Sequence, residues 1–179
     1  MNKALKVIPK CGNSLAKQIF RSHSLLKYVC RHEKKSLYSS STSQEYMDFV
    51  SKLGMYNGGN VTLDCNDNTG VGVILLDNPA RKNALTGSMM VQLEKIVSQL
   101  EQWDSGKAVV LYGTEKMFCS GGDLKILMQH LRTAREGAYM CQFMQDTLYR
   151  FSQLPLISIA VIQGMALGGG AEVSQEFFQ

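Results

Sequence analysis

Two glycine-rich segments constrain this chain more than any other feature of its sequence: Phe118-Cys119-Ser120-Gly121-Gly122-Asp123-Leu124 and Gly164-Met165-Ala166-Leu167-Gly168-Gly169-Gly170-Ala171-Glu172. Each follows a run that reads as a strand, and each opens into a helical pattern. Glycine lets a backbone N–H approach a ligand with no side chain in the way. A helix start adds unpaired N–H donors and the positive end of the helix dipole. Two such loops side by side supply two backbone donors to one oxygen, the arrangement that stabilises an oxyanion. A second reading stays open beside it, in which both loops are tight turns that need positive φ.

The rest of the chain repeats strand, loop and helix. Residues 61–63 and 71–76 are strand-like, joined across Asn66-Asp67-Asn68-Thr69-Gly70 as a hairpin. A helix is predicted over 87–103, with Met89, Met90, Leu93, Ile96, Val97, Leu100 and Trp103 on one face and Thr86 as its cap. Residues 108–112 form a short apolar strand ended by Gly113. A helix starts near Asp123 and runs toward Leu131, and a longer one covers 136–152 with Tyr139, Met140, Phe143, Met144, Thr147, Leu148 and Phe151 as its inward stripe. Pro155 blocks its extension. Residues 156–162 are nearly continuously apolar and β-branched, as in a strand covered on both faces. The alternation predicts an α/β layered fold. Ahead of it, Thr42-Ser43-Gln44-Glu45 fits a capping box before a short helix ending near Gly54.

The two glycine segments resemble those of the enoyl-CoA hydratase/isomerase (crotonase) superfamily, which read F-x-x-G-x-D-[LI] and G-x-x-L-G-G-G-x-E. The earlier segment Asn78-Pro79-Ala80-Arg81-Lys82-Asn83-Ala84-Leu85 is similar to the family turn N-P-x-x-x-N-A-L that lies near the CoA. Leu154-Pro155-Leu156-Ile157-Ser158 and Trp103 resemble the branch that removes carbon dioxide from short branched malonyl-CoA thioesters. The resemblance covers 61–172. It implies an α/β fold of the ββα spiral type, of which this chain holds about the first half. It implies a lyase that acts on ethylmalonyl-CoA or methylmalonyl-CoA through a thioester enolate, with hydration or isomerisation of enoyl-CoA as the alternative activity.

By the same resemblance, Gly122 and Gly169 provide the N–H groups that hold the thioester oxygen. Glu172 aligns with one of the two catalytic carboxylates of family hydratases, and an ordinary first-turn acid favoured by the helix dipole is its other reading. Ala80, Arg81 and Lys82 align with residues that touch the CoA nucleotide; adjacent cations suit phosphate oxygens, and a solvated loop is the alternative. Asp123 reads as a helix cap. Cys119 reads as a small residue packed under its loop, since His23, His32 and His130 show no evident pairing with it. No metal-ligand cluster is visible, and no cofactor is expected, CoA being part of the substrate. The family assembles as homo-oligomers, commonly trimers, through a C-terminal part that has no counterpart here.

Composition sets the remaining bounds. Residues 1–35 hold nine Lys and Arg against Glu33 alone, whereas the whole chain carries only +4, so the remainder is net acidic. That argues against a nucleic-acid-binding domain. No apolar run approaches the ~18 residues of a membrane span. The five cysteines form no C-x-x-C pair. The organisation expected is a basic leader or disordered arm over 1–35, a Ser-rich linker with a short helix over 36–60, and a truncated crotonase-like domain over 61–179. The leader suggests the mitochondrial matrix; the resemblance implies the cytosol. Because 173–179 departs from the family, the chain reads as a truncated product, with an incompletely covered core and no activity by itself.

Overall fold

The computed structural model describes residues 43–125, 128 and 131–176. The basic leader, the serine-rich stretch up to residue 42, and His23, His32 and His130 lie outside the described residues, as do residues 126, 127 and 129 of the helix expected from Asp123 to Leu131, of which Leu124, Lys125 and Met128 are helical. The described residues form a unit of mixed α/β structure around a four-stranded sheet in the order β1-β2-β3-β4.

Helix α1 spans Gln44–Gly54. Its cap is Ser43, whose Oγ accepts from the Tyr46 N–H at 3.3 Å, rather than the Thr42–Glu45 capping box read from the sequence. With the frame set one residue later, Glu45 falls at the second helical position, where it cannot reach back to the cap. Its carboxylate takes Arg135 at 3.0 Å and the Tyr139 hydroxyl at 3.2 Å instead. The helix buries Tyr46, Phe49 and Leu53, with Tyr46 edge-on to Tyr139 at 5.5 Å between centroids.

Strands β1 (Asn60–Asn66) and β2 (Val71–Asp77) pair antiparallel as the expected hairpin. Asn66 closes its turn by accepting from Asn68 and Thr69 N–H at 3.0 and 3.1 Å. Helix α2 (Gly87–Leu100), capped by Thr86, crosses to β3 (Ala108–Gly113), which pairs parallel to β2. The helix stops before Trp103, whose indole packs over Gly72 and donates to Asp67 at 2.7 Å. Helix α3 (Ala134–Ser152) leads to β4 (Ile157–Val161), parallel to β3, and α4 (Gly169–Glu176) follows. A full capping box starts α3: Thr133 and Glu136 each satisfy the other's backbone N–H.

The core lies between α1, α2, α3 and one face of the sheet: Leu53, Ile74, Leu76, Met89, Leu93, Val97, Val109, Leu111 and Phe151 are fully enclosed. The opposite face carries Val71, Val73 and Leu75 of β2, Val110 of β3, and Ile157, Ile159 and Val161 of β4, in register. Here the expectation that 156–162 is covered on both faces fails: Ile157 is 65 % and Ile159 46 % exposed. An apolar β-branched run reports the burial a strand is suited to, not whether a covering layer is present. Among the described residues no element lies over this face, and β4 is an edge.

Candidate functional site

Three loops that are far apart in sequence lie side by side at one end of the sheet. The first is the turn after β2. Asn78 precedes a single 3-10 turn, Pro79–Arg81, and the chain then passes through two consecutive left-handed residues, Lys82 and Asn83, each at φ 53°. Non-glycine residues in that region cost on the order of 1–3 kcal/mol each and persist where the surroundings over-determine them. Asn83 is what fixes the turn. It is fully buried; its Oδ1 accepts from Asn78 N–H at 2.8 Å and the Thr114 hydroxyl at 3.2 Å, while its Nδ2 donates to the carbonyls of Thr114 at 3.1 Å and Met117 at 2.7 Å. Asn78 in turn donates through Nδ2 to the Ala84 carbonyl at 2.8 Å. Sequence reading passed over Asn83; the tolerance of asparagine for the left-handed region is the signal that marks it.

The first glycine loop runs alongside this turn. Ser120 N–H donates to the Lys82 carbonyl at 3.1 Å, and its hydroxyl to the Arg81 carbonyl at 3.2 Å. Leu85 N–H donates to the Gly121 carbonyl at 2.8 Å, and Asp123 N–H returns to the Leu85 carbonyl at 2.9 Å. Gly122 sits between these last two bonds, opposite Leu85. Asp123 is 5 % exposed; its Oδ1 accepts from Lys125 N–H at 2.9 Å, as a helix cap does, and its Oδ2 pairs with the Arg81 guanidinium at 2.5 Å.

The second glycine loop lies on the other side of the first. Phe118 N–H donates to the Gln163 carbonyl at 2.8 Å, Cys119 N–H to Met165 at 3.1 Å, and Leu167 N–H back to Cys119 at 3.0 Å. The loops then touch through their glycines. A Cβ at Gly170 would stand 2.4 Å from the Cys119 carbonyl oxygen, and one at Gly121 would stand 2.7 Å from the Leu167 oxygen and 3.2 Å from the Gly169 nitrogen. A Cβ at Gly169 would stand 3.7 Å from the Gly122 nitrogen, so the two amides are close neighbours.

The left-handed turns are made by Gly121 (φ 96°), Gly164 (φ 65°) and Gly168 (φ 52°), and neither Gly122 nor Gly169 has positive φ. The turn-geometry reading therefore accounts for their neighbours but not for them. Among the described residues, neither the Gly122 N–H nor the Gly169 N–H donates to a protein acceptor. Gly169 opens α4, so its N–H lies at a helix start. Two adjacent unpaired donors can be shared by one oxygen.

The other expected residues are placed as follows. Glu172 lies in the first turn of α4 and is exposed. Ala80, Arg81 and Lys82 are exposed on the 3-10 turn and its cap, with the Arg81 guanidinium turned to Asp123. Cys119 is buried and accepts at Sγ from Gly121 N–H at 3.4 Å; burial pushes its thiol pKa up, the opposite of what a nucleophile needs. Among the described residues no three His, Cys, Asp or Glu side chains lie together as a metal centre would require.

Comparison with known proteins places these loops in context. The sequence model of enoyl-CoA hydratase/isomerase matches residues 66–175. Ethylmalonyl-CoA decarboxylase of Xenopus tropicalis is 46% identical over 142 residues, covering 79% of this chain and 47% of that protein. The human ethylmalonyl-CoA decarboxylase is 45% identical over 137 residues, covering 76% and 44% respectively. Among solved structures, the enoyl-CoA hydratase of Bacillus anthracis superposes with a TM-score of 0.59 at 31% identity, over 65% of this chain and 45% of that one. The chain thus spans about half the length of the curated relatives it matches.

Proposed function

The chain belongs to the enoyl-CoA hydratase/isomerase family, and from that premise we propose that its glycine loops hold the carbonyl oxygen of an acyl-CoA thioester for decarboxylation. The observation that carries this reading is the pair of unpaired, adjacent N–H groups at Gly122 and Gly169. In ethylmalonyl-CoA or methylmalonyl-CoA, the bond between the α-carbon and the carboxylate breaks. Carbon dioxide leaves, and its bonding pair enters the thioester as an enolate whose negative oxygen receives both N–H bonds. Protonation of the α-carbon completes the reaction, and Glu172, in the first turn of the helix that Gly169 opens, is the candidate donor. Withdrawing one such oxyanion donor typically costs ~10²–10³ in rate. The CoA nucleotide lies against the turn of Ala80, Arg81 and Lys82. The decarboxylase is favoured over a hydratase because the curated relatives carry that name at 37–46% identity.

Hydration of an enoyl-CoA is the second reading, supported by the likeness to the Bacillus anthracis hydratase. A third, a catalytically inactive truncated product, is supported by the open apolar face of β4. Incubation with ethylmalonyl-CoA and crotonyl-CoA side by side separates the three. Release of carbon dioxide with butyryl-CoA supports the first reading and overturns the expectation that the chain is inactive by itself. Faster formation of hydroxybutyryl-CoA promotes the second reading, and neither product promotes the third. We place the protein in the cytosol, and a fluorescent fusion of residues 1–43 that enters mitochondria would overturn that.

A further inference from the structure

We propose that Arg81 is a positioning residue for the Gly122 amide, not a ligand of the CoA phosphates, and that Lys82 alone of the adjacent cations serves the nucleotide. The inference deepens the proposed function and rests on it. Gly122 has no side chain to fix its peptide, and its N–H has no protein partner among the described residues. Its orientation is therefore set by what grips the residues on either side. Those grips come from the turn after β2: the Ser120 N–H and hydroxyl bonds to Lys82 and Arg81, the Leu85-to-Gly121 bond, and the Asp123-to-Leu85 bond. Arg81 adds a charged tether, to the Asp123 carboxylate directly following Gly122.

The two cations differ in what surrounds them. Asp123 is 5 % exposed and the Arg81 side chain 43 % exposed, so the pair is half sheltered from water. Removing one partner of such a pair leaves a sheltered charge uncompensated. Engaging a phosphate through the same Nη1 of Arg81 would withdraw it from Asp123 and release the far side of Gly122. Lys82 is exposed, and among the described residues no hydrogen bond or ion pair engages its ammonium. It sits at the left-handed cap of the 3-10 turn, its backbone held on both sides and its charge free to meet a phosphate. The turn thus sorts its two adjacent cations into one that faces the ligand and one that faces the oxyanion loop.

Calorimetric titration with two probes tests this assignment. Adenosine 3′,5′-bisphosphate presents the nucleotide phosphates alone, and butyryl-CoA adds the thioester. Arg81→Ala should leave the affinity for the bisphosphate within about twofold and weaken butyryl-CoA on the order of tenfold, the effect of a misplaced donor and not a missing phosphate ligand. Asp123→Asn, which keeps the side-chain volume and the acceptor for Lys125 N–H, should reproduce Arg81→Ala. Arg81→Lys, which can still reach the carboxylate as a cation, should recover part of the loss. Lys82→Ala should weaken both probes equally. If Arg81→Ala weakens the bisphosphate as much as butyryl-CoA while Asp123→Asn weakens neither, Arg81 is a phosphate ligand and the inference is wrong. If the unaltered protein binds butyryl-CoA no more tightly than the bisphosphate, the thioester is not held at all; the proposed function then fails first and takes the inference with it. Urea unfolding of each variant separates a shifted loop from a lost fold.

Discussion

Replacing Gly170 with alanine puts one methyl group where the two glycine loops meet. The added Cβ would stand 2.4 Å from the Cys119 carbonyl oxygen, 2.8 Å from the Cys119 Cβ and 2.9 Å from its carbonyl carbon. Ordinary contact begins at 3.4 Å, so the loops must separate by about 1 Å. No flexible side-chain end is available to move, because the obstacle is the backbone of Cys119, which is itself held by hydrogen bonds to Met165 and Leu167. Overpacking of this kind costs about 1–3 kcal/mol. Alanine in a helix returns about 1 kcal/mol relative to glycine, leaving a net loss near 2 kcal/mol, since a backbone obstacle belongs at the upper end of the range. A 1 Å displacement is also enough to cost on the order of 10²-fold in a positioned reaction. Gly137→Ala is the matched control: Gly137 lies in α3 with nothing within 4 Å of a Cβ and should gain about 0.5–1 kcal/mol. Urea unfolding of both variants reads the two shifts, which are expected to have opposite signs. A Gly170→Ala midpoint equal to or above that of the unaltered protein would refute the close packing of the loops.

Asn83→Ala should lower stability by about 2–4 kcal/mol, because it leaves the buried Asn78 N–H and the Met117 carbonyl without their partner, while the Thr114 carbonyl keeps the Met117 N–H at 3.2 Å; an unfolding midpoint within error of the unaltered protein contradicts this. Burial, with Asp146 and Glu94 nearby, pushes the Tyr46 phenol up to about 12. A raised folded pKa contributes stability that is complete below the unfolded value of about 10 and disappears as pH climbs through the folded one, so unfolding should become easier between pH 10 and about 12. Tyr46→Phe should flatten that decline, as seen in urea midpoints across the range. Glu101 is held below the usual carboxylate range by hydrogen bonds from Arg150, and Glu136 by the N–H groups of Arg132 and Thr133. Depressed folded values give stability present above the ordinary glutamate pKa and lost as pH falls below it. Glu136→Gln should therefore reduce the acid-side loss, and an unchanged acid profile would count against the capping box.

Elements whose cause is local could be read directly from the sequence. The inward stripe of α2 and the Tyr139, Phe143, Thr147 and Phe151 stripe of α3 follow from helical spacing, and the β1–β2 hairpin follows from its turn residues. The glycine loops were legible as motifs, but their union was not. Nothing in 118–124 or 163–170 states that Cys119 will bond to Met165 and Leu167, because that pairing depends on β3 and β4 lying in register. The capping boxes show how narrow the local signal is. Thr133 and Glu136 form one that the sequence reading stepped over, while Glu45 went to Arg135 and Tyr139 of a distant helix. Arg81 has the same lesson: the family resemblance offers it as a contact of the CoA nucleotide, with a solvated loop as the alternative, and only the folded loop reveals Asp123 within reach. The exposure of Ile157 and Ile159 lay beyond sequence patterning for another reason, since the pattern specifies a strand's own preference and not its surroundings.

The central claim is that Gly122 and Gly169 share one thioester oxygen. Amide nitrogen–proton spectra of the full chain, with the two glycines assigned, test it most directly when butyryl-CoA is added against an equal addition of adenosine 3′,5′-bisphosphate. Both amide protons should move downfield together with the thioester, along one binding curve, and neither should do so with the bisphosphate. Butyryl-CoA binding that leaves either amide proton in place would contradict the account.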